Sequence, residues 1–341
     1  MTRTFLLSLC LFLLTATFAH SRDRIRIVGS QEVLPIIETV ARTFSVKSEL
    51  PTPALEVTGS GYGFRLFCDG IGFEYPDINI TPRKITEAEF NICKKNGVAA
   101  ITEIKFGRDA IVVANSRDGE IFDFTPPTLF AALAANRLKD GSVVKNTRSN
   151  WREIDPAFSD DPIRIIAPPA ASGTYDDFMR LVMVPGCRVT PGQDTLNMTE
   201  RFAFCHSLRT DDALIASPRS EYTVLDWLQT HTKAFAVTRY SFLLENRDLI
   251  AGNKINGIHP TEETIQNGSY PLTRSLYVYV KTKHVSAVNG LQKFLYELTN
   301  DRTIGPEGYL MSQSEQGFVP LNDMGRNHAR DMALSLAPFT R

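Results

Sequence analysis

Three times along this chain a short β-type run ends in small residues and passes into an amphipathic helical stretch. Arg24–Val28 (RIRIV) leads through Gly29-Ser30 into Val33, Ile36, Ile37, Val40, Ala41 and Phe44 at helical spacing, with Pro35 tolerated in the first turn. Ala54–Val57 leads through Thr58-Gly59-Ser60-Gly61 into Phe64, Leu66 and Phe67. Ile163–Ile166, after the break at Pro168-Pro169, leads through Ala171-Ser172-Gly173-Thr174 into Phe178, Leu181 and Val182. Further β-type runs lie at Asp77–Thr81, Ala110–Ala114, Ala234–Val237 and Ser275–Val280, and helical spacing at Thr86–Phe90, Pro127–Leu133, Val224–Leu228 and Leu291–Leu298. Gly141–Asn150 and Met183–Asp212 read as loops. Strands alternating with helices predict an α/β fold built on mainly parallel sheet. No internal repeat or low-complexity linker separates the blocks, so two interleaved domains are expected.

The turns also carry chemistry. At a strand's carboxyl end the free N–H groups of the next helix point outward, and the helix dipole favours an anion there. Glycine lets backbone approach the ligand, a hydroxyl adds a donor, and open α/β sheets bind ligands at this edge. One such turn is ordinary capping; three in one chain can surround a single tetrahedral oxyanion. Bulk charge plays no part. Lys+Arg number 37 against Asp+Glu 38, a net charge of -1, which excludes capture of nucleic acid or an anionic membrane by an overall field. With 43% hydrophobic residues, the chain is not disordered either.

Phe5–Leu14 (FLLSLCLFLL) follows one positive charge at Arg3 and precedes the small and polar residues from Thr15 to Ser21. This is the order of a secretory signal peptide, and the run is shorter than the ~20 apolar residues that span a bilayer. Residues 1–21 are therefore expected to be removed, with the mature chain starting near His20 or Arg22 and acting outside the cytoplasm. Cys68, Cys93, Cys187 and Cys205 remain, an even number suited to an oxidising compartment. Four cysteines allow three pairings, of which sequence proximity favours Cys68–Cys93 and Cys187–Cys205. No CxxC or HxxxH spacing supports zinc. His206, His231, His259 and His284 are scattered, and neither a metal nor a cofactor is expected.

The segments VGSQEVLP (28–35), VTGSGYGF (57–64), DINITPRKITEAEF (77–90), RDAIVVANS (108–116), NWREI (150–154), ASGTYDDF (171–178), GIHPTEETIQNGSYPLTRSLYVYV (257–280) and GFVPL (317–321) together resemble the phosphate-binding proteins of bacterial ABC importers. The resemblance covers nearly all of the mature chain. It implies a two-lobed, type II periplasmic-binding-protein fold, each lobe a mixed, mainly parallel sheet flanked by helices. The lobes would be 24–112 with 246–341, and 113–245, joined by two crossovers, the first near Ile111–Asn115. It further implies a periplasmic, monomeric, non-enzymatic receptor that delivers inorganic phosphate, or a similar oxyanion such as sulfate or molybdate, to an ABC permease in the inner membrane. Carried over by position, Ser30 with Gln31, Ser60 with Gly61, Thr81, and Ser172-Gly173-Thr174 would contact the anion.

Several positions depart from the family pattern. Gln31 and Glu32 stand where threonines are common, Pro82-Arg83 where Ser-Arg or Ser-Asp is common, and Pro168 where an arginine is common. Arg83 is the candidate guanidinium to compensate for the missing cation, being able to hold a phosphate oxygen pair. Distinguishing hydrogen phosphate from sulfate needs an acceptor for the ligand's proton, and Asp109 and Glu32 are the candidate carboxylates; Asp109 is equally readable as a structural ion-pair residue. Asp176 and Asp177 read as ordinary acids of a first helical turn. Against a serine hydrolase, Thr58 stands where a Gly-x-Ser-x-Gly turn needs glycine. A signalling protein on the same fold is the remaining alternative.

Overall fold

The computed structural model describes residues 22–170, 172–216, 221–311 and 317–340. The predicted leader, 1–21, and Ala171 lie outside the described residues. Among the described residues no helix is long and apolar enough to cross a membrane.

One long strand organises the molecule. β1 (Arg26–Gly29) lies between β2 (Ala54–Val57) and β3 (Ile78–Thr81), parallel to both. The Thr273–Lys281 strand runs antiparallel to β3 and to β4 (Ile101–Ser116). β4 then changes partner. Ile101–Ala110 pair with Thr273–Lys281, whereas Ile111–Asn115 pair with Phe235–Arg239 and Ala114–Ser116 with Ile250–Gly252. Ile165–Ile166 lie parallel to the Phe235–Arg239 strand on one side and to Leu214–Ile215 on the other. One sheet therefore continues from one lobe into the other through β4, with the exchange at Ala110/Ile111. From the sequence a five-residue strand was expected here. Glu103 and Lys105 interrupt the apolar run, yet β4 is paired as far as Ile101 because the neighbouring strand continues alongside it.

The elements form where side-chain periodicity lets them bury one face. Helix α1 (Leu34–Ser48) carries Pro35 in its first turn and turns Ile36, Ile37, Val40, Ala41 and Phe44 inward, none more than 2% exposed. Burying a side chain of the Ile, Val or Phe kind contributes ~1.5–3 kcal/mol. These residues pack with Ile80, Phe106, Val278 and Phe294 on one face of the β1-side sheet. On its other face, α2 (Ser60–Cys68) and α3 (Glu87–Lys95) bring Phe64, Phe67, Phe90 and Cys93 against Tyr277 and Tyr279. A separate core gathers Val113, Phe124, Trp151, Phe178 and Phe235, with Phe122 and Phe158 stacked at 4.7 Å. Two lobes, each with its own core, result.

Ile250, Ile255, Ile265, Tyr270 and Leu272 also pack in this second core. Val319 packs in it too, and the pairing of Thr273–Lys281 with β4 begins directly after Leu272. The predicted loops also contain elements: Ser142–Lys145 form a hairpin with Asn136–Lys139, and Val184–Arg188 and Met198–His206 are helices. Cys68–Cys93 and Cys187–Cys205 are disulfides, closing segments with sequence separations of 25 and 18.

Candidate anion-binding site between the lobes

Gly29 sets the geometry of the first turn. Its φ is +142°, and a Cβ there would sit 2.1 Å from the Ile80 carbonyl oxygen, so only glycine lets β1 end this close to β3. The Gly29 carbonyl accepts from the N–H groups of Thr58 and Gly59 (2.9 and 3.0 Å), and Ser30 N–H donates to Ile80 O (3.0 Å). The first two small-residue turns are thereby bonded side by side with the end of β3. Ser30 is buried at 2% exposure and Thr81 is fully buried, its Oγ1 accepting from Arg83 N–H at 3.3 Å. Gly59 begins α2 with no side-chain cap, so Ser60 and Gly61 open a helix whose first N–H groups no capping side chain satisfies. Ser60 is half-buried and Gly61 exposed.

The third turn comes from the other lobe. Ser172 caps the Gly173–Phe178 helix, its Oγ accepting from Tyr175 N–H (3.2 Å) and donating to Pro169 O (2.7 Å). The helical chain continues without interruption through a π-type turn at Met179–Met183 into Val184–Arg188. Gly173 N–H donates to Glu32 Oε1 at 2.6 Å, across 141 residues of sequence. The other Glu32 oxygen accepts from the Ser30 hydroxyl. A turn of each lobe thus converges on one carboxylate. Thr174, buried, follows in the same turn, and Gln31 is exposed.

The two other charged candidates are already engaged. Arg83 makes a two-pronged contact with Glu89 (2.7 and 2.9 Å) and lies 5.4 Å over the Phe64 ring. Glu89 is the capping-box acid of α3, held by Thr86, so the local helix start positions the partner that neutralises Arg83. Asp109, 5% exposed, accepts from Ala110 N–H at 2.6 Å with one oxygen and from Arg274 with the other. Asp109 thus stands in a buried ion pair with Arg274. Burial pushes its carboxyl up, against the pull of Arg274.

Sequence reasoning missed Arg274, whose side chain is fully buried and also donates to Asp177 of the third turn. Its only sequence signal was an arginine at the start of an otherwise apolar strand. Asp177, read as an ordinary helix-start acid, is buried between Arg274 and Arg180. At Asp176 beside it, burial, then the Asp177 and Glu32 carboxylates, push the carboxyl up, while Arg83 pulls it down. Asn79, fully buried under α2, leaves both side-chain polar atoms without a protein partner. His284 ties the loop before β3, its ring nitrogens lying 2.6 Å from Asp77 Oδ1 and from Ile71 O.

The Ser30 hydroxyl of one lobe and the Gly173 N–H of the other meet at one carboxylate, and the family model described as a PBP superfamily domain matches residues 15–302. The chain belongs to the PBP superfamily. Among curated relatives it is similar to the phosphate-binding protein PstS of Staphylococcus saprophyticus, 24% identical over 298 residues covering 86% of this chain and 79% of that one. It is likewise similar to protein SphX of Synechocystis, 26% identical over 315 residues, 91% and 82% of the two chains. In fold it matches the crystal structure of a possible phosphate binding protein from Planctomyces limnophilus with a TM-score of 0.65 at 21% identity, covering 93% of this chain and 99% of that one. An ABC-type phosphate transport receptor from Vibrio cholerae matches with a TM-score of 0.60 at 15% identity, covering 87% and 99%. The two-lobed α/β fold of this superfamily member is thereby shown.

Proposed function

We propose that this chain is an extracytoplasmic receptor that captures inorganic phosphate between its lobes and hands it to an ABC permease. The observation that carries the reading is the convergence at Glu32. Ser30 O–H from one lobe and Gly173 N–H from the other each donate to one oxygen of the same carboxylate, which supports reading them as donors of an oxyanion site. The curated relatives support the choice of phosphate. The predicted leader supports a periplasmic location, and the near-neutral net charge supports recognition of the ligand by local groups; the receptor is proposed to act as a monomer. Of the sequence candidates, Ser30, Ser60, Gly61, Thr81, Ser172, Gly173 and Thr174 remain the proposed contacts. Gln31, exposed, lies at the rim, and Arg83 acts on the site through the field it shares with Asp176. The lobes are proposed to move about Ala110/Ile111 and Leu272/Thr273, where strand partners and cores change; hinge closure is the ordinary motion of a receptor of this shape.

Calorimetric titration of the mature chain with phosphate, arsenate, sulfate and molybdate tests the reading. Saturable phosphate and arsenate binding is expected. Sulfate or molybdate binding without a phosphate signal overturns the ligand assignment.

A further inference from the structure

The Glu32 carboxylate lies where the proposed ligand would lie. A Cβ built on Gly173 would meet Glu32 Oε2 at 2.2 Å, so the carboxylate rests directly on the bare glycine face of the third turn. Capping does not require it there, because the Ser172 hydroxyl already caps that helix. Nor does Glu32 serve the nearer helix start: it stands two residues before α1 and reaches away from it to the other lobe. A glutamate carboxylate has the geometry of a small oxyanion, two acceptor oxygens on one carbon, and takes N–H and O–H donors as a phosphate edge would.

We infer that Glu32 is a tethered occupant of the anion subsite and sets which ligands the receptor accepts. The inference rests on the oxyanion reading of the site. Being part of the chain, Glu32 competes at the high effective concentration of an intramolecular group. A free monocarboxylate offers the donors nothing that Glu32 does not, and is excluded. A tetrahedral oxyanion brings further oxygens that reach donors Glu32 leaves aside, such as the uncapped first turn of α2. It displaces Glu32 by engaging them together. Neither Arg83 nor Arg274 is free to offset the displacement, because Arg83 is held by Glu89, and Arg274 by Asp109 and Asp177. Without ligand, the Glu32–Gly173 bond joins the lobes in its place.

The test compares the mature wild-type chain with Glu32→Ala and Glu32→Gln, using sodium formate and inorganic phosphate as probes. Small-angle scattering reads lobe closure and calorimetry reads affinity. Wild type should be compact without ligand and indifferent to formate. Glu32→Ala should be expanded without ligand, compacted by formate, and should bind phosphate at least tenfold more tightly than wild type. Glu32→Gln, which keeps the shape and loses the charge, should fall between the two and shows that the effect is not misfolding. Ligand-free Glu32→Ala as compact as wild type and unchanged by formate overturns the inference, whatever phosphate does. Equal or weaker phosphate binding by Glu32→Ala overturns the competition. Formate compaction of Glu32→Ala with no phosphate binding by any variant supports the tethered occupant and instead overturns the phosphate reading.

Discussion

Arg274→Met is the substitution whose cost follows most directly from the structure. The Arg274 side chain is fully buried, and its partners Asp109 and Asp177 are 7% and 4% exposed. Methionine fills much of the same space but leaves two buried carboxylates facing it. Asp177 keeps its contact with Arg180, whereas Asp109 keeps the Ala110 N–H and the attraction of the Arg239 charge. Breaking a buried pair by removing one partner costs ~3–5 kcal/mol, because the remaining charge is uncompensated. At about 2–4 °C per kcal/mol for a domain of this size, the melting temperature should fall by on the order of 10 °C. The double variant Asp109→Asn/Arg274→Met removes the stranded charge and should recover ~2 kcal/mol or more of that loss. Urea unfolding separates the lobes: Trp151 and Trp227 both belong to the second core and are the chain's two tryptophans, so their fluorescence reports one lobe while circular dichroism reports both. Because Arg274 links β4 to the third turn, both signals should shift to lower urea. An Arg274→Met loss below about 1 kcal/mol, or a double variant no more stable than the single one, would refute the reasoning.

Removing the disulfides should cost stability that grows with the logarithm of the segment each closes: about 3.5 kcal/mol for Cys68–Cys93 and about 3 kcal/mol for Cys187–Cys205 from loop entropy, measured by unfolding with and without reductant. Lys105 gives a pH signature. Burial, then the neighbouring Arg108 and Lys84, push its ammonium down to about 8 from the ordinary 10.5. Between those values the unfolded chain holds a proton that the native one has shed, so this residue makes stability rise with pH there. Lys105→Gln should therefore be more stable than wild type at pH 7, with the difference vanishing by about pH 10.5; a difference independent of pH refutes the assignment.

Local features were legible in the sequence. The Ile36, Ile37, Val40, Ala41, Phe44 spacing, the three small-residue turns and the cysteines nearest each other in sequence all express interactions between near neighbours or periodicities within one element. Gly29 was legible as a turn residue, but its need for glycine comes from the Ile80 carbonyl of another strand. The site's charges were read by position, without the partners that the fold gives them. Arg83 looked free because its capping-box partner Glu89 appears in sequence as a helix acid, and Asp109 looked available because Arg274 is 165 residues away.

What the sequence determined alone is the class of chain: α/β, bearing a leader-like segment, and equipped with turns suited to an anion. Only the tertiary structure decided which strands β4 pairs with, its partner changing between Ala110 and Ile111 within one unbroken strand. It alone also decided which carboxylate meets the anion donors. Glu32 and Gly173 are joined at 2.6 Å over 141 residues, and a contact of that kind depends on how two separately packed cores bring their turns together, which no local spacing encodes.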